Sequence, residues 1–173
     1  SDAYGKTMTT DGQKLRTGWT TGACATAGAR AAAMALLAQE PGASLQITLP
    51  RGETPVFEIE ELERGPGWVR VSIRKDAGDD PDVTHLAIIQ TTIAHGKPGQ
   101  GIRFHAGPGV GTVTKPGLPI PVGDPAINPV PRQMISEVLE EVANGAAVAP
   151  DFDVTVSVPG GEALAQQTWN PRL

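Results

Sequence analysis

Four carboxylates crowd one short stretch of this chain. Asp76, Asp79, Asp80 and Asp82 fall within Lys75-Asp76-Ala77-Gly78-Asp79-Asp80-Pro81-Asp82-Val83-Thr84-His85. Like charges at that spacing repel unless something cationic compensates. A hard cation such as Mg²⁺ or Ca²⁺ could do so. The alternating Asp and distal Glu of a helix-loop-helix calcium site are missing, however, and Lys75 and His85 bracket the run as internal counterions. A solvated Asp/Gly/Pro turn is the plainer account, although a loop of this kind at a strand end is also a common carrier of functional groups. No metal ligands are assigned.

Three further segments carry chemistry of a different sort. Thr17-Gly18-Trp19-Thr20-Thr21-Gly22 runs into a helical pattern. A Gly- and Thr-rich helix start offers free N–H groups, hydroxyls and the positive end of the helix dipole, which suits a carboxylate or phosphate; an ordinary threonine cap is the alternative. Gly107 to Gly117 places glycines at 107, 109 and 111 ahead of Lys115. Pro116 follows the lysine, so this is not the phosphate loop G-x-x-x-x-G-K-[ST], and a turn or bulge is the simpler expectation. Gly123 to Arg132 holds Pro125, Pro129 and Pro131, an extended entry into a second helix. Asn128 is placed to cap that helix. Arg132 would sit in its first turn, against the dipole, and is therefore expected to hold a carboxylate of the protein or of a ligand. His95 and His105 read as isolated surface residues at strand ends, and Cys24 as a small core residue.

Composition narrows the classes. The chain has 173 residues with 14 Lys plus Arg against 19 Asp plus Glu, a net charge of −5. That balance argues against nucleic-acid binding. The single cysteine excludes an internal disulfide and a multi-cysteine zinc site, and fits a reducing, cytoplasmic setting. No apolar run is long enough to span a bilayer. Residues 1–14 read as a flexible leader or expression scar. Trp169 stands beside the terminus with no element after it, so the natural protein is expected to continue.

The elements that must position these residues are legible as patterns. A helix is expected from about Gly22 to Gln39, capped by Thr20 or Thr21 and stopped by Pro41-Gly42. Ala25, Ala29, Ala32, Ala33, Leu36 and Leu37 form its apolar stripe. Period-two alternation predicts strands around Leu45–Leu49, Phe57–Ile59, Val69–Ile73, His85–Ala94, Ile102–Phe104 and Val154–Val158. A second helix is expected from about Pro131 to Asn144. Met134, Ile135, Val138, Leu139 and Val142 face inward, and Gly145 closes it. The fold class expected is α+β, a two-layer, mostly antiparallel sheet with helices on one face.

Five segments in this order carry a resemblance: Gly18-Trp19-Thr20-Thr21-Gly22-Ala23-Cys24-Ala25, Lys75 to His85, Gly109 to Leu118, Ala126-Ile127-Asn128-Pro129-Val130-Pro131-Arg132, and Asn170-Pro171-Arg172-Leu173. From about Leu15 to Leu173 the chain resembles the N-terminal half of the cobalt-precorrin-5B C(1)-methyltransferases, the CbiD family. It departs at Leu86, where Gly is usual, and at Ala23, where Thr is usual.

The resemblance implies a ribosomal-S5-domain-2-like fold for residues 15–173, as the N-terminal domain of a longer two-domain enzyme, with the C-terminal domain missing. It implies methyl transfer from S-adenosylmethionine to C-1 of a cobalt-precorrin tetrapyrrole during anaerobic cobalamin synthesis. The acetate and propionate groups of such a substrate call for cationic and N–H donors. Arg16, Thr20, Thr21, Gly22, Lys75, Gly109, Gly111, Lys115, Asn128, Arg132 and Arg172 are the expected substrate contacts. Asp76, Asp79, Asp80 and His85 are the expected catalytic groups, positioning the basic side chains or facing the sulfonium and a departing ring proton. A phosphate- or nucleotide-binding or phosphotransferase domain and a non-catalytic corrinoid-binding module are the competing readings. Homo-oligomerisation is left open.

Overall fold

The structure, a computed structural model, describes residues 20–75, 87–112, 117 and 123–159, with the backbone of 7–8 and 14–15. Strands β1 (Thr7–Met8) and β2 (Lys14–Leu15) pair antiparallel with each other. Helix α1 (Thr21–Leu36) follows. Then come β3 (Ser44–Gln46), β4 (Val56–Gly65), β5 (Trp68–Lys75), β6 (Ala87–His95), β7 (Ile102–Ala106), helix α2 (Pro129–Gly145) and β8 (Phe152–Ser157). The main sheet has the order β3-β4-β5-β6-β8-β7. Every pairing in it is antiparallel except β7 with β8. A parallel neighbour needs a crossover, and α2 lies within that connection. The α+β class with helices on one face is as expected, with one parallel pair making the sheet mixed.

The helix α1 forms because alanine carries the lowest helix cost of any residue and Thr20 caps it. It is buried far beyond the single stripe that its spacing predicts. Ala23, Ala25, Ala27, Ala29, Ala31, Ala32 and Ala33 are all fully inaccessible. The reason is that α1 packs on β5 and β6 and also against α2, so apolar partners meet it on more than one side. Small residues make the close approach possible. A methyl group on Gly28 would lie 3.0 Å from Thr91 Oγ1 and 3.5 Å from the Val71 carbonyl oxygen. Thr91 donates its hydroxyl to the Ala25 carbonyl at 3.0 Å, fastening helix to sheet.

Both helices end differently from their glycine signals. α1 ends at Leu36, with Leu37 as its C-cap and Ala38 at φ 62°, ahead of Pro41-Gly42. α2 runs through Gly145, and Ala147 takes the left-handed position at φ 57°. Each closes by the same paired bonds. Ala38 N–H donates to Ala35 O and Gln39 N–H to Met34 O; Ala147 N–H donates to Asn144 O and Val148 N–H to Ala143 O. These satisfy carbonyls that the helix end leaves open. α2 also starts two residues earlier than expected. Pro129 and Pro131 stand in its first turn, where a missing N–H costs nothing. Met134, Ile135, Leu139, Val142 and Ala143 are its buried face, with Val138 partly buried. Among the described residues no helix is long and apolar enough to cross a membrane.

Candidate functional site

One end of the sheet receives nearly every segment singled out for chemistry. Register places Lys75 opposite Ala87, Gln90 opposite Ser157, and Ala106 beside Val156. The last residues of β5, β7 and β8 and the first of β6 therefore share that end. The chain leaves β5 at Lys75 and re-enters β6 at Ala87 there, so both anchors of the acidic segment are placed. It leaves β7 at Ala106 into the glycine loop. That loop is tied to the entry of α2, since Ala126 N–H donates to the Gly111 carbonyl at 2.8 Å and Thr112 bridges Pro125. The start of α1 completes the group, because a methyl on Gly22 would sit 2.8 Å from Pro131 Cγ. The two helix N-termini thus lie side by side.

The start of α1 is capped by Thr20, whose Oγ1 accepts the Ala23 N–H at 3.0 Å. The N–H groups of Thr21 and Gly22 precede any intrahelical partner. Thr21 is 3% exposed, and its Oγ1 is buried without a hydrogen-bond partner among the described residues. No acidic residue stands in the first turn of either helix.

Arg132 does not hold a carboxylate among the described contacts. Its Nε donates to the Ile127 carbonyl at 2.8 Å and its Nη2 to the Pro125 carbonyl at 2.7 Å. Its guanidinium lies 5.2 Å from the centre of the Phe104 ring. The prolines of this loop remove N–H donors and leave carbonyls in surplus, and the guanidinium answers them. Burial draws the Arg132 pKa down, with the Asp124 carboxylate opposing. Arg132 therefore clasps its own loop and stations a cation beside the paired helix starts. Asn128 occupies the N-cap position of α2, but its side chain makes no capping bond.

The glycine loop uses its freedom on the protein itself. Gly109 has φ 82°, and a methyl there would lie 2.1 Å from the Val158 carbonyl oxygen. Val158 N–H in turn donates to the Pro108 carbonyl at 2.7 Å. The close approach expected of a ligand is made by the chain after β8 instead. Gly111 is exposed and has no neighbour within reach of a Cβ. Lys75, the last residue of β5, is half-buried. Asp76, Asp79, Asp80, His85, Arg16, Lys115 and Arg172 lie outside the described residues. Cys24 is in the core, 1% exposed, as expected.

Two features escaped the sequence reading. His105 is not isolated: its ring Nε2 meets Asp153 Oδ1 at 2.9 Å across the β7–β8 pair. Only the parallel register brings these residues together. The orphaned Thr21 hydroxyl was also invisible, since two adjacent threonines at a helix start look alike until one takes the cap. A separate groove of about 720 Å³ runs between α2 and residues 46–50. Its polar rim is bonded within itself. Arg30 donates to the Gln46 carbonyl and faces Glu141 at 3.9 Å, while Gln133 donates to Glu137. Among the described residues no group of three or more His, Cys, Asp or Glu is arranged to hold a metal.

Fold and site together define a two-layer α+β domain that presents N–H and hydroxyl donors at paired helix starts, with no acid of its own in either first turn. The chain belongs to the CbiD family, whose model matches residues 8–173. It is 55% identical over 163 residues to the cobalt-precorrin-5B C(1)-methyltransferase of Paramagnetospirillum magneticum, covering 94% of this chain and 46% of that protein. It is 54% identical over 166 residues to the protein of the same name in Methylorubrum extorquens, covering 96% and 46%. The crystal structure of the cobalamin biosynthesis protein CbiD from Archaeoglobus fulgidus superposes with a TM-score of 0.64 at 31% identity, over 96% of this chain and 51% of that one. The chain spans about half the length of the relatives it matches.

Proposed function

We propose that this chain is the substrate-receiving part of a C-methyltransferase that moves a methyl group from S-adenosylmethionine to C-1 of cobalt-precorrin-5B. The observation that carries the reading is the gathering of α1, α2 and the ends of β5, β7 and β8 at one edge of the domain, with helix-start donors and Arg132 beside one another. An acid-fringed tetrapyrrole needs such a surface. Family membership supports the reaction, and the relatives' length supports a second domain that completes the enzyme.

Methyl transfer from a sulfonium is an in-line displacement, so the protein mainly aligns the ring carbon with the methyl and keeps water out. S-adenosylmethionine supplies the methyl when bound. The donors at the start of α1 suit an anion and repel a sulfonium, because the positive dipole end and N–H groups point the same way. This end therefore takes carboxylates rather than the sulfonium itself. Arg16, Lys115 and Arg172 add cationic contacts to the same acids, and Lys75 anchors the acidic segment at the rim. Asp76, Asp79, Asp80 and His85 orient those cations or receive the ring proton. A ribosomal-S5-domain-2-like topology and a cytoplasmic setting complete the reading.

The test is a methylation assay on the complete protein with cobalt-precorrin-5B, beside corrinoid binding to this chain alone. Turnover only by the complete protein, with binding retained by the chain, is the expected result. Corrinoid binding absent from both overturns the assignment. Arg132→Met should weaken corrinoid binding about tenfold by loosening the Pro125–Ile127 loop, a loss of roughly 1.4 kcal/mol.

A further inference from the structure

We infer that the first turn of α1 is a receptor for a single carboxylate, held by the N–H groups of Thr21 and Gly22 and by the hydroxyl of Thr21. The inference rests on the reading that this end of the domain faces the reactants, and it narrows that reading to one helix start and one chemical group.

The first turn of a helix leaves its leading N–H groups without partners. Here the Thr20 hydroxyl answers the Ala23 N–H and the Thr20 carbonyl the Cys24 N–H, which leaves those of Thr21 and Gly22. Thr21 and Gly22 are both buried, so water does not freely answer theirs. A helix start alone would not make a site. The Thr21 hydroxyl is the second observation. It belongs to a residue 3% exposed, and no acceptor or donor among the described residues reaches it. Side chains lean back toward the helix N-terminus, which sets a first-turn hydroxyl at the open end beside the free N–H groups. A buried polar group without a partner is costly to keep. Its retention makes sense if a ligand supplies the partner.

The walls and the charge fit a carboxylate. Pro131 flanks Gly22 closely enough that any larger residue there would collide with it, and proline has no N–H to offer. No acidic side chain of the first turn competes for the donors. Arg132, next to Pro131, adds positive potential without reaching across, since two of its N–H groups are held by Ile127 and Pro125. Two carboxylate oxygens suffice for three donors. The carboxylate could belong to the periphery of the tetrapyrrole or to the methionine part of S-adenosylmethionine, and the chemistry at α1 is the same for both.

The test uses Thr21→Val, with Thr21→Ser as the conservative control, in the complete protein. Without ligand, Thr21→Val should melt at or above the wild type, because it removes a buried polar group that has no partner among the described residues. Acetate, compared with chloride at equal ionic strength, should raise the melting temperature of the wild type and of Thr21→Ser but not of Thr21→Val. Thr21→Val should also bind one ligand about tenfold more weakly, either a corrinoid hepta-acid or S-adenosylhomocysteine, and leave the other unchanged. Loss on the hepta-acid, absent for the hepta-amide made from it, places the tetrapyrrole acid at α1. Loss on S-adenosylhomocysteine alone keeps the carboxylate receptor and overturns the substrate reading of this end. An acetate shift equal in all three proteins overturns the inference, as does a stronger response to inorganic phosphate than to acetate.

Discussion

The two ends of the sheet treat polar groups in opposite ways. At the end where β6 turns into β7 and α2 hands over to β8, polar groups answer one another. Asp151 accepts the Gly99 N–H at 3.0 Å and the Gly101 N–H at 2.8 Å, and these bonds hold its pKa below the ordinary carboxylate value. Gln100 donates to the Phe152 carbonyl and to Asp153, and accepts from the Lys97 N–H. At the end where α1 and α2 begin, a buried hydroxyl stands without a partner among the described residues, and the leading N–H groups of α1 precede any intrahelical partner. Both ends hold charged side chains at turns. What separates them is whether the protein completes its own hydrogen bonds. A turn that satisfies itself is scaffold, whereas a buried polar group without a partner calls for an explanation.

The largest break in that contrast comes from Gly109. Gly109→Ala sets a methyl 2.1 Å from the Val158 carbonyl oxygen and forces a left-handed φ on alanine. The expected loss is about 3 kcal/mol or more in urea unfolding. Binding of a corrinoid hepta-acid should fall with it, because the loop it displaces is tied through Gly111 to the entry of α2. A variant that unfolds like the wild type would show that the β8 contact does not hold this end together. Thr20→Ala comes next. It removes the acceptor of the Ala23 N–H and should cost about 1 kcal/mol, read from the same unfolding curves. It also adds a third unanswered donor to the first turn of α1.

Much of the fold was readable because the dominant signal is periodicity. The alternation of Val69, Val71 and Ile73 and of Val154, Val156 and Val158 forecast which side chains are buried, and the structure buries all six. The helices were found for the same reason. Their ends differ from the Pro41-Gly42 and Gly145 signals, because paired carbonyl bonds close each helix around Ala38 and Ala147. The parallel pairing of β7 with β8 leaves no local trace, so the His105–Asp153 contact could not be foreseen. At the site, the segments were legible from residue type, but their internal bookkeeping was not. Whether Arg132 meets an outside acid or its own Pro125 and Ile127 carbonyls depends on a loop path that three prolines dictate. Gly109 likewise looked ready for a ligand until β8 came to lie against it.

The closed end should tolerate improvement that the open end would not. Ala147 holds φ 57° at the C-terminus of α2, a conformation in which glycine carries no Cβ penalty. Ala147→Gly is expected to stabilise the protein by about 0.5–1 kcal/mol, seen as a higher urea midpoint with an unchanged slope. Corrinoid binding should not move. A gain in stability accompanied by weaker binding would mean that the two ends are coupled through α2.

Asp153 gives the finest probe, because its effect is small and has a sign in pH. Its carboxylate meets His105 at 2.9 Å and Gln100 at 3.2 Å. The His105 bond is the main reason its pKa lies below the ordinary value, with partial burial opposing and Gln100 assisting. A carboxyl group with a depressed folded pKa binds its proton more weakly in the folded protein than in the unfolded one. Its contribution is therefore complete above about pH 3.9, the unfolded value, and fades as pH falls through the folded pKa. The group is 35% exposed, and solvent screening limits the effect to roughly 0.5 kcal/mol. Asp153→Asn should therefore lie slightly below the wild type at pH 7 and converge with it as pH falls below the folded pKa. A gap that persists unchanged at low pH would assign the contact to neutral hydrogen bonding through Gln100. Affinity for the corrinoid hepta-acid should be equal in the two proteins at pH 7, since Asp153 lies toward the end of the sheet away from the helix starts.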